Sequence, residues 1–133
     1  MQNSRMSKFH VSYEAAMLLR EKGYNEVVES YYDTLGELNE VRSIFKNSVA
    51  DNSFLHSFGD YYAAPTKAEA IDWFERKGLV IEVTSLRNGK WRFGLYQRGS
   101  FYIDSWIDYR LDFPTRLNAE DAAIKQGCKL LKR

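Results

Sequence analysis

Apolar positions recur at helical spacing in two segments of nearly the same lettering: Glu14-Ala15-Ala16-Met17-Leu18-Leu19-Arg20-Glu21-Lys22-Gly23 and Glu69-Ala70-Ile71-Asp72-Trp73-Phe74-Glu75-Arg76-Lys77-Gly78. Side chains three and four residues apart share one helix face, so Val11, Ala15, Leu18 and Leu19 form one buried stripe and Ala70, Trp73 and Phe74 another. A hydroxyl that can cap free N–H groups precedes each segment, Ser12 and Thr66, and a glycine able to turn left-handed closes it. The pattern predicts helices over 13–22 and 67–77, the second with Asp72 and Arg76 paired on its wet side.

Period-two alternation follows Gly78. Leu79, Ile81 and Val83 fall on one side of a strand and Glu82 and Thr84 on the other; Trp91, Phe93 and Leu95 then share one face, and Lys90, Arg92 and Tyr96 the opposite one. A two-residue turn at Asn88-Gly89 would carry Glu82 into the core. A three-residue loop, Arg87-Asn88-Gly89 with Gly89 left-handed, instead sets Val83 opposite Phe93 and Ile81 opposite Leu95, and is the closure expected. The same reasoning at Arg98-Gly99-Ser100 pairs Leu95 with Ile103 and Trp91 with Ile107 inside. Outside, it pairs Tyr96 with Tyr102, Arg92 with Trp106 and Lys90 with Asp108.

The rest of the chain alternates less sharply. A strand over 27–32, a turn at Asp33-Thr34-Leu35-Gly36 and a return strand over 38–45 are expected, then a long loop over 46–64 pinned by Phe54, Leu55, Phe58, Tyr61 and Tyr62 with room for one short strand. A last helix follows Phe113-Pro114, capped by Asn118, with Glu120 and Asp121 in its first turn and Lys129, Lys132 and Arg133 in its last, the order a helix dipole favours. Its apolar arc is Ala119, Ala123, Ile124, Leu130 and Leu131, with Cys128 at the border. The whole reads as an α+β fold: two helix-hairpin units plus a C-terminal helix, a largely antiparallel sheet, and helices packed on one face.

At 133 residues and 44% hydrophobic, the chain can bury a core as a single domain without metal or disulfide, residues 1–8 being polar and expected to fray. A net charge of +1 gives no global field of the kind that marks nucleic-acid or membrane-surface proteins, so any electrostatic function is local. A single cysteine makes no internal disulfide, and no N-terminal run suits a signal peptide or a membrane span. The expected setting is the cytoplasm.

Several stretches carry a resemblance: Val11-Ser12-Tyr13-Glu14-Ala15-Ala16 through Lys22-Gly23-Tyr24 and Tyr31-Tyr32, then Ala64-Pro65-Thr66 to Asp72-Trp73-Phe74, and the alanine-containing last helix. In these the chain resembles a group of small uncharacterised proteins encoded in gut bacterial genomes and their prophages or mobile elements. The resemblance implies a phage or mobile-element origin and carries no activity, cofactor or site residue.

Candidate chemistry is sparse. His10 and His56 have no second ligand at metal spacing. Cys128, on an amphipathic helix, reads as a packing thiol rather than a nucleophile. Asp104 and Asp108 share a strand face roughly 13 Å apart, too far for the paired carboxylates of a retaining glycosidase, and partnership with Lys90 and Arg92 is the plainer assignment. No glycine-rich phosphate loop or nucleophile elbow occurs. The expectation is a protein with no catalytic residue, metal or cofactor.

What remains are surfaces. From Leu86 to Ile103 the charged residues are Arg87, Lys90, Arg92 and Arg98, and the expected register adds Tyr96, Tyr102 and Trp106 to the same outer face. Cations interleaved with flat rings suit a partner protein or single-stranded nucleic acid. The plainer alternative is Arg92 stacked on Trp106, with Asp104 and Asp108 diluting the charge. Between Asn25 and Glu40 the charges are Glu26, Glu29, Asp33, Glu37 and Glu40 with no base, so one hairpin is acidic and the other basic. Such a pair can steer self-association or docking to a charged protein. The expected function is a small non-enzymatic interaction module binding a protein or itself, with single-stranded nucleic acid as the alternative ligand.

Overall fold

Ser12 starts the first helix as expected. Its hydroxyl accepts a hydrogen bond from the Ala15 N–H at 3.2 Å, and α1 runs Tyr13–Glu21 before Gly23, at φ 92°, turns the chain out of the helix. The computed structural model describes residues 8–97 and 105–131, with 105–112 described by strand pairing alone. Val11, Ala15 and Leu19 of the expected stripe are wholly buried, Ala16 joins them, and Leu18 is only half-buried. The chain forms two compact units, one ending at Thr66 and the other opening at Lys67.

In the first unit, β1 (Ser30–Tyr32) lies between β2 (Leu38–Glu40) and β3 (Tyr62–Ala63) in an antiparallel sheet. The return strand expected over 38–45 stops at Glu40. There the Val41 N–H donates to the Glu29 carbonyl at 2.8 Å, and the chain winds into the single turn α2 (Val41–Ile44). The aromatic-rich stretch that follows holds a short helix, α3 (Asn52–His56), capped by the Asp51 carboxylate at 2.9 Å from the Phe54 N–H, and then β3. Tyr13 of α1 meets the rings of Tyr32 and Tyr62 edge-on, and the buried Tyr32 hydroxyl donates to the Val11 carbonyl.

The hairpin between β1 and β2 turns on Asp33. Its carboxylate accepts from the Leu35 N–H at 2.9 Å, the Glu37 N–H at 3.0 Å and the Asn39 amide at 3.0 Å, while Gly36 takes φ 79°. Partial burial alone would raise its pKa. The hydrogen bonds from Glu37, Asn39, Leu35 and Gly36 outweigh that and hold it below the ordinary carboxylate value. A depressed folded-state pKa stabilises the fold above the unfolded value near ~3.9 and loses that contribution as pH falls through the folded one. Asp33→Ala is therefore expected to cost about 1–2 kcal/mol at pH 7, the gap to the parent narrowing below pH ~4. Urea titrations of both proteins at the two pH values check this, and a gap independent of pH would contradict it.

The second unit opens with α4 (Lys67–Arg76), which buries Ala70, Trp73 and Phe74 and pairs Asp72 with Arg76 at 3.2 Å, all as the spacing predicts. Gly78, at φ 91°, leads into β4 (Leu79–Ser85), which pairs antiparallel with β5 (Trp91–Gln97), and β5 with β6 (Ser105–Phe113). The β4–β5 register is the expected one. Val83 stands opposite Phe93 and Ile81 opposite Leu95, the Leu86 N–H donates to the Lys90 carbonyl at 2.8 Å, and Gly89 sits at φ 83°. Phe93 and Leu95 are buried on the face where α4 and the last helix, α5 (Arg116–Leu130), pack.

Two expectations about the C-terminal half fail. First, β6 is out of the expected register: Tyr96 pairs with Trp106 rather than Tyr102, and Gln97 with Ser105. Trp91 faces Phe113 rather than Ile107, and Asp108 stands opposite Leu95 rather than Lys90. The register shifts twice, between Trp91 and Phe93 and between Leu95 and Tyr96, and each such irregularity breaks the period-two alternation on which the expectation rested. Second, the cap of α5 is Thr115, not Asn118. The Thr115 hydroxyl accepts from the Asn118 N–H at 3.1 Å, so the helix starts earlier and Glu120 pairs back to Arg116 at 3.4 Å. Cys128 is fully buried rather than at the border, and Gly127 joins the buried face.

Candidate functional site

The residues singled out on the outer sheet face are only partly brought together. Arg87 and Lys90 are exposed at the β4–β5 turn, and Arg92 and Tyr96 are half-buried on β5, on the face opposite Phe93 and Leu95. Arg92 Nε donates to Thr84 Oγ1 at 2.8 Å, and the Tyr96 hydroxyl donates to Glu82 Oε2 at 2.6 Å. Trp106 lies across from Tyr96 rather than Arg92, so the expected Arg92–Trp106 pair is replaced by a Tyr96–Trp106 register pair. Arg98, Tyr102, Asp104 and the Arg98-Gly99-Ser100 turn lie outside the described residues.

This face therefore carries an acid among its bases. Glu82 pairs across the ladder with Gly94, which separates Arg92 from Tyr96 on β5, and its carboxylate holds the Tyr96 hydroxyl. A carboxylate in that position opposes a phosphate backbone and tolerates a protein partner.

A stronger surface lies in the first unit, built by the stretch that reads in sequence as a loop. On the face of β1 opposite Tyr32, the rings of Tyr61, Tyr31, Phe45, Phe54 and Phe58 form one chain of contacts. Centroid separations are 5.3 Å for Tyr31–Tyr61, 5.6 Å for Tyr31–Phe45, 4.8 Å for Phe45–Phe58 and 5.1 Å for Phe54–Phe58. Phe45 follows the helical turn α2 and meets Tyr31, and α3 with the turn after it supplies Phe54 and Phe58. Tyr31, at the inner end, is buried, and its hydroxyl is pushed up in pKa by that burial, then by Tyr61 and Asp33.

The outer end of the cluster is open. Phe58 is 53% exposed and Ile44, beside Phe45, 60%, although both belong to residue types that folding normally covers. The stretch of chain that builds the cluster is acidic in sequence: between residues 25 and 61 there are seven carboxylates, Glu26, Glu29, Asp33, Glu37, Glu40, Asp51 and Asp60, against Arg42 and Lys46. The aromatic run was visible in sequence as the pins of a loop. Its exposure was not, because which ring faces water depends on packing across 27 residues of chain, from Tyr31 to Phe58.

Other groups are used structurally. Lys67 is buried at the start of α4, where burial lowers its pKa and Asp121 and Glu120 partly offset the shift. Among the described residues no group of three His, Cys, Asp or Glu gathers at metal-binding distance, and no helix is long and apolar enough to cross a membrane. No protein-family model, curated protein or solved structure matches the chain.

Proposed function

We propose that this protein is a non-enzymatic interaction module whose first unit docks a partner protein through the open end of its aromatic cluster. The observation that carries the reading is the exposure of Phe58 at the edge of an otherwise packed set of rings. Aromatic side chains at the centre of a patch, ringed by polar groups, are what interface cores favour, and burying a phenylalanine contributes about 1.5–3 kcal/mol. The excess of carboxylates over bases around the cluster selects a partner that presents an apolar side chain flanked by lysine or arginine. A second copy of this chain, whose β4–β5 turn presents Arg87 and Lys90 beside the half-buried Leu86 and Trp91, is one form the partner can take.

Selection of a displayed random-peptide library on the purified protein tests the reading. Enriched peptides are expected to carry Leu, Phe or Trp between basic residues, and to bind Phe58→Asp at least tenfold more weakly than the parent. Phe58 is exposed enough for the substitution to leave the fold in place. Failure to enrich such peptides, or equal binding to both proteins, would remove the reading. Sedimentation of the protein alone separates self-association from capture of a different partner.

A further inference from the structure

At the end of α1 an open cleft of about 310 Å³ is lined by Arg20, Gly23, Tyr24, Asn25, Asn52, Ser53 and His56. None of these is acidic. We propose that the cleft binds the phosphate group of a small phosphorylated ligand, with Arg20 and His56 as its principal anchors.

The side chains facing the cleft are donors held in place by neighbours. The Arg20 guanidinium lies over the Tyr62 ring at 5.2 Å, which fixes the plane of its fork. Its Nη2 reaches the His56 imidazole, contacting Nδ1 and standing 2.9 Å from Nε2. The same guanidinium can give an oxyanion a charge-assisted bond stronger than its contact with a ring nitrogen. Asn25 Oδ1 is taken by the Ser53 N–H at 2.9 Å, which leaves the amide nitrogen of Asn25 as the end able to donate. The Ser53 hydroxyl adds another donor.

The wall behind these donors is held by hydrogen bonds. Asn52 is buried and spans the cleft floor, its amide nitrogen donating to the Tyr24 carbonyl and its oxygen accepting from the Ala63 N–H, both at 2.8 Å. The α1 carbonyls of Leu18, Leu19 and Arg20, which would otherwise present partial negative charge, are taken up by the N–H groups of Lys22, Tyr24 and Gly23. A phosphate offers these donors more acceptor oxygens and more negative charge than a carboxylate does. The volume lies at the small end of ligand sites, enough for a phosphate and a modest organic group.

The test is a two-dimensional amide NMR titration of the full chain with inorganic phosphate, phenyl phosphate and acetate at constant ionic strength. Saturable shifts are expected for both phosphates at Gly23–Asn25 and Ser53–His56, at least tenfold weaker for acetate. Arg20→Gln should weaken phosphate binding tenfold or more, Arg20→Lys should retain part of it, and Arg76→Gln, in the exposed α4 pair, should leave it unchanged. Unsaturated shifts at millimolar phosphate, acetate binding as strong as phosphate, or equal loss in Arg76→Gln would each overturn the proposal. Shifts at Gly23–Asn25 and the loss in Arg20→Gln read the cleft, whereas the peptide selection reads Phe58, so the two proposals can fail separately.

Discussion

Asn52→Ala is expected to destabilise the first unit by about 2–4 kcal/mol, since it strands a buried carbonyl and a buried N–H at once. Asn52 is only 5% exposed and ties together three parts of the chain: the Tyr24 carbonyl after α1, the start of α3, and the Ala63 N–H in β3. An amide is the one side-chain group of that size offering a donor and an acceptor together. Asn52→Asp keeps the acceptor for Ala63 but sets a carboxylate against the Tyr24 carbonyl, and should cost at least as much at pH 7. Acidification to pH 4 should relieve part of that cost, because a protonated carboxyl can donate to Tyr24. Hydrogen exchange at the Ala63 amide reads both variants, with an expected acceleration of roughly 30-fold or more in Asn52→Ala, at ~1.4 kcal/mol per tenfold. Unchanged protection would show that Asn52 is a bystander.

Gly127→Leu should disrupt the second unit to a comparable or greater degree. A Cβ at this position would already lie 3.2 Å from two carbons of the Phe74 ring and 3.5 Å from Leu79 Cδ2. Phe74 is wholly buried and cannot yield without moving α4 against α5. Overpacking of this kind costs about 1–3 kcal/mol or more. The expected signature is non-additivity with Phe74→Ala, because the cavity left by the ring accepts the leucine and the double variant should be more stable than the sum of the singles. All three tryptophans, Trp73, Trp91 and Trp106, belong to this half of the chain, so intrinsic fluorescence during urea unfolding follows it selectively. Additive effects would mean that the two side chains do not share the space assigned to them.

The two functional readings divide the first unit between them. The aromatic cluster presents exposed apolar rings amid an excess of carboxylates, the form of a protein-docking surface. The Arg20–His56 cleft presents donors without acids, the form of an anion site. Both rest on the segment 41–62, which has the least regular pattern in the chain. That is where function is commonly found, since irregular segments held by a packed scaffold are free to present side chains that regular elements must bury.

Elements whose signals are local were legible in the residues. Ser12 and Gly23 bound α1, Ala70, Trp73 and Phe74 face inward on α4, and the Arg87-Asn88-Gly89 loop sets β4 against β5, each depending on residues a few positions apart. The sequence also supported the α+β class with antiparallel pairing and helices against sheet. The tertiary structure alone decided the rest. The register of β6 depended on irregularities that break the alternation, and the third strand of the first sheet on Tyr62 finding Tyr32 thirty residues back. The cluster from Tyr31 to Phe58 and the cleft between Arg20 and His56 are likewise long-range. Capping and hairpin closure are settled within one turn of chain, whereas which rings stay exposed and which cation meets which imidazole depend on how distant segments share one limited core surface.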